Sequence, residues 1–134
     1  TLSGRHDFRD IAEDTLESFA GVVEHFGLYA GSYGLALERF LLDPVQVIVI
    51  GDGPEALRLE STAMARFAVN KTVMRFSPTR LAAEDLPEAL AELLPNVSTF
   101  DGAPAMALVC RGRTCLPPIV DPEALLEALE GSDH

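Results

Sequence analysis

Apolar residues recur at steps of three and four over residues 7–26, while acidic residues occupy the other faces. This period predicts an amphipathic helix with a wide apolar stripe, and Gly27 stands where a helix commonly ends. A similar pattern through residues 28–42 predicts a second helix, in which Gly31 and Gly34 permit close helix contact. Because the link between the two is short, we expect an antiparallel helical hairpin.

The pattern changes after Asp43–Pro44. Residues 45–50 are almost all β-branched, which is typical of a strand in a parallel sheet that is covered on both faces. A helix is expected from Pro54, since proline is favoured at the first helical position, and residues 71–76 predict a second strand. Together these elements predict one βαβ unit with a right-handed crossover.

Three more elements are predicted toward the end of the chain. We expect a short helix around residues 86–94, a hairpin over residues 105–116 and a final helix over residues 121–129. The fold class is therefore α/β, with a helical hairpin in residues 1–43 and a small βαβ-based, three-layer domain in residues 44–134. The sheet of that domain is expected to be mainly parallel and to carry a β-hairpin flanked by cysteines.

The composition narrows the class of partner. The chain has 134 residues, and 48% of them are hydrophobic, which is enough for a sizeable core. Its 21 acidic and 10 basic residues give a formal net charge of −11. Such a charge repels a phosphate backbone or an anionic membrane surface, so we expect neither a nucleic-acid nor a membrane partner.

Two features of the sequence bear on location. The first residues, Thr1–His6, have none of the features of a signal peptide, and no apolar run approaches the roughly 20 residues that span a bilayer. The low cysteine content fits a reducing compartment. We therefore expect a cytoplasmic protein, and the start at Thr1 suggests a piece of a longer chain.

Cys110 and Cys115, on either side of a glycine-containing turn, are the clearest indication of chemistry. Facing strands can bring such residues to the Cα separation of roughly 5.5 Å that a disulfide needs, and Arg111 and Arg113 would stabilise a thiolate. The spacing is not Cys-x-x-Cys, and two cysteines without a neighbouring histidine do not complete a zinc site, so no metal is expected. Three hypotheses remain: a structural or incidental pair, a disulfide that forms on oxidation, and a catalytic redox couple.

A weak anion site is predicted at Gly51 and Gly53, where a strand, a glycine turn and a helix start follow one another. Pro54 removes one backbone donor there, and Asp52 and Glu55 place negative charge where the anion would bind. Asp52 is equally explained as a helix cap. The third glycine of a dinucleotide motif is missing, and no cofactor is expected.

Glu13, Glu17 and Tyr33 are weak candidates for lining a sugar-binding cavity, because they lie on the two predicted helices of the hairpin. The alternative interpretation gives the carboxylates a solvated helix face and gives Tyr33 a packing role. No residue of the chain is assigned as catalytic.

Three segments carry a family resemblance. They are residues 12–19 (Ala-Glu-Asp-Thr-Leu-Glu-Ser-Phe), residues 44–51 (Pro-Val-Gln-Val-Ile-Val-Ile-Gly) and residues 101–110 (Asp-Gly-Ala-Pro-Ala-Met-Ala-Leu-Val-Cys), the last followed by Thr114–Cys115 and Pro117. In this order they resemble the C-terminal end of a family of thioredoxin-domain-containing proteins that includes the bacterial YyaL type and the animal spermatogenesis-associated protein 20. The resemblance extends from Asp7 to Leu129.

The resemblance implies a much longer parent protein. Family members have an N-terminal thioredoxin-like domain and a central (α/α)6 toroid similar to N-acylglucosamine 2-epimerases and six-hairpin glycosidases. Residues 7–42 would form the last helical hairpin of the toroid, and residues 45–130 an appended α/β cap. The chain departs from the family at Leu108, where members usually have an aromatic residue.

Three functions follow as hypotheses. In the first, the chain is a structural and interaction segment without catalysis of its own, whose partner is the rest of the parent chain. An apolar patch on residues 7–26 and 28–42 would then make the isolated segment a possible homodimer. In the second, these helices line the cavity of a carbohydrate-active enzyme, and in the third, Cys110 and Cys115 form a redox-responsive module.

Overall fold

The computed structural model describes residues 6–81, 103–112 and 114–131. The elements are, in chain order, α1 (His6–Ala20), a 3-10 helix (Val23–Tyr29), α2 (Ala30–Leu41), β1 (Val45–Gly51), α3 (Pro54–Ala65), β2 (Lys71–Phe76), α4 (Pro78–Leu81), β3 (Ala105–Arg111), β4 (Thr114–Cys115) and α5 (Pro122–Glu130). The helix expected around residues 86–94 lies outside the described residues.

The four strands form one mixed sheet in the order β2-β1-β3-β4. β1 and β2 are parallel and are joined through α3, which confirms the βαβ unit. β1 and β3 are antiparallel, as are β3 and β4. The expectation of a mainly parallel sheet is therefore wrong. β1 is a continuous apolar run because it lies between two neighbouring strands and is buried on both faces. A strand in that position is buried whether its neighbours are parallel or antiparallel to it.

Side chains of β1 and β3 alternate between the two faces of the sheet, as the pleat requires. On the first face they pack against α3 and α5, and the buried residues of this cluster are Val45, Val47, Val49, Ala56, Leu59, Ala63, Ala105, Ala107, Val109, Leu125 and Leu129. α5 begins at a capping carboxylate, since Asp121 Oδ2 accepts a hydrogen bond from Ala124 N at 2.9 Å. The sheet and the α3–α5 layer are two of the three layers expected.

A second apolar cluster lies on the opposite face of the sheet. Its buried members are Ile48, Ile50, Met106, Leu108 and Cys110, with Met74, Phe76 and Cys115 packed against them. Both faces of the two central strands are therefore apolar and buried. This second face is where the sheet places the cysteine pair.

α1 and α2 form the antiparallel hairpin expected from the sequence. The Arg9 guanidinium lies 4.5 Å from the centroid of the Phe40 ring, and the Tyr33 hydroxyl donates to the Leu16 carbonyl at 3.1 Å. The beginning of α1 therefore contacts the end of α2, and the end of α1 contacts the beginning of α2.

The first helix ends earlier than its apolar period predicts. α1 stops at Ala20, and Val23–Tyr29 consists of two short 3-10 helices separated by a kink at Gly27, whose φ of 52° and ψ of −121° are not helical. A 3-10 helix repeats every three residues, so apolar residues spaced by three fit it as well as they fit an α-helix. The pattern over residues 7–26 could not distinguish the two.

Candidate functional site

Cys110 and Cys115 are bonded in a cross-strand disulfide, with an S–S distance of 2.05 Å. They lie directly opposite each other on β3 and β4. The neighbouring bond from Leu116 N to the Val109 carbonyl, at 2.9 Å, makes Cys110 and Cys115 a non-hydrogen-bonded pair. Side chains approach most closely at such positions, and the two Cα atoms are 4.0 Å apart. Of the three hypotheses for the pair, the disulfide is the one whose geometry is present.

The two sulfurs have different surroundings. Cys110 is only 1% exposed and belongs to the buried cluster on the second face. Cys115 is partly exposed and lies on β4, the two-residue outer strand of the sheet. The disulfide therefore joins the core of the sheet to its edge.

The turn of this hairpin depends on Gly112. Its φ of 55° is in the left-handed region that glycine adopts without steric cost. Its backbone N–H donates to the Pro44 carbonyl at 3.3 Å, which ties the turn to the residue that precedes β1. Arg113 lies outside the described residues.

Arg111 does not assist the sulfurs as the sequence led us to expect. Successive side chains of a strand point to opposite faces, so Arg111 lies on the face opposite Cys110. Its guanidinium donates to the Ala128 carbonyl at 2.9 Å, in the last turn of α5. A cation stabilises the free carbonyls and the negative end of the dipole at that position. The structure thus gives Arg111 a role in holding α5.

The predicted anion site has the backbone of a tight turn and the wrong charge for an anion. Gly53 precedes α3 with a φ of 86° and provides no side-chain cap. Asp52 does not cap α3 either, since its Oδ2 accepts a hydrogen bond from Ser77 Oγ at 2.8 Å. Ser77 Oγ also lies 2.8 Å from Thr79 Oγ1. An exposed carboxylate, held by hydroxyl groups, therefore occupies this edge of the sheet.

Ser77 and Thr79 are polar groups that the sequence interpretation missed. They follow β2 directly, as Asp52 follows β1. Because β1 and β2 are parallel neighbours, their carboxyl ends meet at one edge, which is where open α/β sheets commonly bind ligands. Once the βαβ unit was predicted, this adjacency was the signal that could have identified both residues.

The three cavity candidates on the hairpin are not brought together. Glu13 and Glu17 are exposed on α1. Tyr33 is partly buried between the two helices, where its hydroxyl donates to the Leu16 carbonyl. Tyr33 therefore packs the hairpin from inside, whereas the two carboxylates lie on its outside.

Two depressions on the α/β part are also of limited chemical interest. An open groove of about 380 Å³ lies between α3 and the start of α5. A pocket of about 70 Å³ near the start of β1 contains Arg66 and Lys71. Desolvation lowers the pKa of Lys71, with the charge of Arg66 adding to the effect, but its ammonium donates to the Ala63 carbonyl at the end of α3. This lysine serves to close a helix.

The hairpin of α1 and α2 exposes a large amount of apolar surface. Within residues 7–42 no side chain is buried. Leu28 is 99% exposed and Tyr29 is 87% exposed. We define the hairpin surface as eight of the ten large apolar residues that are exposed in this segment, namely Ile11, Phe19, Val22, Phe26, Leu28, Tyr29, Leu35 and Leu41. An exposed patch of this kind usually marks an interaction site.

Gly31 and Gly34 belong to the outside of this hairpin. A Cβ atom added to either would meet nothing within 4 Å. The close helix contact expected at these glycines is therefore absent between the described elements. The two glycines remain accessible to a helix outside the described elements.

The described residues contain neither a helix suited to span a membrane nor a cluster of metal-binding side chains. None of the described helices combines the length and apolar character needed to cross a membrane. In the same part of the chain, no group of three or more His, Cys, Asp or Glu side chains is placed to hold a metal ion.

The comparisons with known proteins add no relative. No protein-family model, no curated protein and no solved structure matches the chain. The family resemblance therefore rests on the sequence segments alone, and the functional argument rests on the geometry.

Proposed function

We propose that this chain is a structural and interaction segment of a longer, thioredoxin-domain-containing protein. In this proposal α1 and α2 complete a helical toroid, and the α/β part forms an appended cap with a third layer over the second face of its sheet. The observation that carries the proposal is the hairpin surface, eight exposed apolar residues on a segment without one buried side chain.

The low stability expected of two short isolated helices supports the proposal that a partner covers the hairpin surface. α1 has 15 residues and α2 has 12, and isolated helices shorter than about 12–15 residues are marginal in water. Fully burying one large apolar side chain contributes about 1.5–3 kcal/mol. Covering a surface of this size would therefore contribute on the order of 10 kcal/mol, which the hairpin alone does not gain.

The link between the hairpin and the sheet is polar. The Arg39 guanidinium donates to the Val69 carbonyl and to Thr72 Oγ1, each at 3.4 Å. Asn70 Nδ2 donates to the Asp43 carbonyl at 2.5 Å. These contacts orient the two parts and leave the hairpin surface exposed. The partner that covers it is proposed to be the rest of the parent chain.

The test compares one double variant, Ile11→Ser with Phe19→Ser, in two chain lengths. In these 134 residues, studied at a concentration where light scattering gives the mass of one chain, both side chains are at least half exposed, so the variant should lower the free energy of unfolding by less than about 1 kcal/mol. In the parent the same side chains are proposed to be buried, and the melting temperature should fall by at least about 4 °C. Differential scanning calorimetry measures both.

The matched control is Glu13→Gln with Glu17→Gln, on the exposed polar positions of the same helix. It should change stability by no more than about 0.5 kcal/mol in either chain. A parent protein that tolerates the Ile11 and Phe19 changes as well as the short chain does would exclude the proposal.

A further inference from the structure

We propose that the Cys110–Cys115 disulfide is a thiol–disulfide exchange site, reduced by a dithiol partner that attacks Cys115, and that reduction releases β4 from the sheet. The inference goes beyond the interaction role proposed above. It depends on a different part of the chain and stands if that role fails.

Access favours attack at one sulfur. A thiolate must approach its target sulfur along the line of the S–S bond, from the side opposite the leaving sulfur. Cys110 is 1% exposed within the apolar cluster, so no reagent reaches it in the folded chain. Cys115 is partly exposed on the outer strand, and among the described residues no strand lies beyond β4.

The disulfide contributes more to holding β4 in place than to the free energy of unfolding of the whole chain. Its cysteines are five positions apart in sequence, and so short a loop constrains the unfolded chain only a little. β4, in contrast, has two residues, and the disulfide joins one of them to the buried Cys110 of β3. Beside it, Leu116 N donates to the Val109 carbonyl, and Ala107 and Ile119 exchange backbone bonds at 2.7 and 2.9 Å. These bonds hold the chain after β4 on β3 without the disulfide, so we expect the effect of reduction to be confined to β4 and Leu116 while the central strands stay paired.

Each step of the exchange forms one S–S bond and breaks another. A thiolate of the dithiol attacks Cys115 Sγ, a mixed disulfide forms, and the Cys110–Cys115 bond breaks. Cys110 leaves with the electron pair and takes a proton, because its apolar surroundings disfavour a charge. The second thiol of the partner then attacks the partner's own sulfur in the mixed disulfide and releases Cys115. The chain gains two electrons and two protons, and the partner becomes a disulfide.

The first measurement separates the two sulfurs. In Cys110→Ala the remaining Cys115 thiol should react with 5,5′-dithiobis(2-nitrobenzoate) at least about tenfold faster than Cys110 does in Cys115→Ala. In urea the two variants should react at the same rate, which controls for intrinsic reactivity. Equal rates in the folded variants, or faster reaction of Cys110, would overturn the assignment of Cys115 as the attacked sulfur.

The second measurement uses the unsubstituted chain, so it does not depend on the folding of a variant. Dithiothreitol in native buffer should add two hydrogen atoms by intact mass while the far-ultraviolet circular dichroism is retained. Hydrogen exchange should rise around Thr114–Leu116 and stay unchanged in β1. A disulfide that resists dithiothreitol until the chain unfolds, or an increase in exchange that includes β1, would identify a structural staple and overturn the proposal.

Discussion

Gly51→Ala is expected to destabilise the fold by about 3 kcal/mol or more. The φ of Gly51 is +143°, which side chains rarely adopt. A Cβ atom at this position would lie 2.7 Å from Ala105 Cβ, 2.8 Å from the Pro104 carbonyl oxygen and 2.9 Å from Ala105 Cα. These atoms belong to Ala105, the first residue of β3, and to Pro104, which precedes it, and Gly51 pairs with Ala105 across the β1–β3 ladder. They cannot move without separating the two central strands.

The control for this prediction is Gly112→Ala. Gly112 has a φ of +55°, but no atom of the described residues lies within 4 Å of its added Cβ. Its substitution pays only the left-handed backbone penalty of about 1–2 kcal/mol. Urea unfolding at equilibrium measures both. An equal loss of stability in the two variants would show that the close approach of β3 to Gly51 is not the constraint.

Leu125→Ala should produce the second large effect, a loss of about 2–5 kcal/mol. Leu125 is 0% exposed and lies in the cluster where α5 packs on the first face of the sheet. Removing its side chain loses the transfer free energy and leaves a cavity between helix and sheet, which the paired strands cannot close.

The neighbouring Leu126 gives a matched control with the same chemical change. Its side chain is 37% exposed, so Leu126→Ala should cost less than about 1 kcal/mol. The same urea titration compares them. If the two leucines contribute equally, α5 does not pack on the sheet in the orientation described here.

Features that depend on a local residue pattern could be predicted from the sequence. The βαβ unit followed from the β-branched run at residues 45–50, Pro54 and the second strand. The placement of Cys110 and Cys115 on facing strands followed from their positions on either side of a glycine-containing turn. Such features depend on alternation and on turn residues, and a single sequence displays both.

Other features depend on the path of the chain, which no local pattern records. The direction of β3 is set by the return of the chain to the edge of β1, and a buried strand has the same apolar pattern in either direction. The orientation of the Arg111 side chain, in contrast, could have been predicted from the sequence. Cys110 points into the second face, so its neighbour on the strand must point into the first.

The positions of Glu13, Glu17 and Tyr33 show a further limit of prediction from helical periodicity. Their helical period placed them on a hairpin, but only the structure distinguishes the inside of that hairpin, where Tyr33 lies, from the outside. The period of α1 also contains two apolar faces. Ala12 and Leu16 are partly buried, whereas Ile11 and Phe19 are at least half exposed. One wide stripe in the sequence is thus divided between an internal contact and the hairpin surface.

The most direct test of the central claim is the molar mass of this chain measured by light scattering across a range of concentrations. We expect the hairpin surface, left without its partner, to drive association, so that the mass rises above that of one chain. We also expect Leu28→Ser with Tyr29→Ser to return the mass to that of one chain. A single-chain mass at every concentration, for the unsubstituted chain and the variant alike, would contradict an interaction surface on α1 and α2.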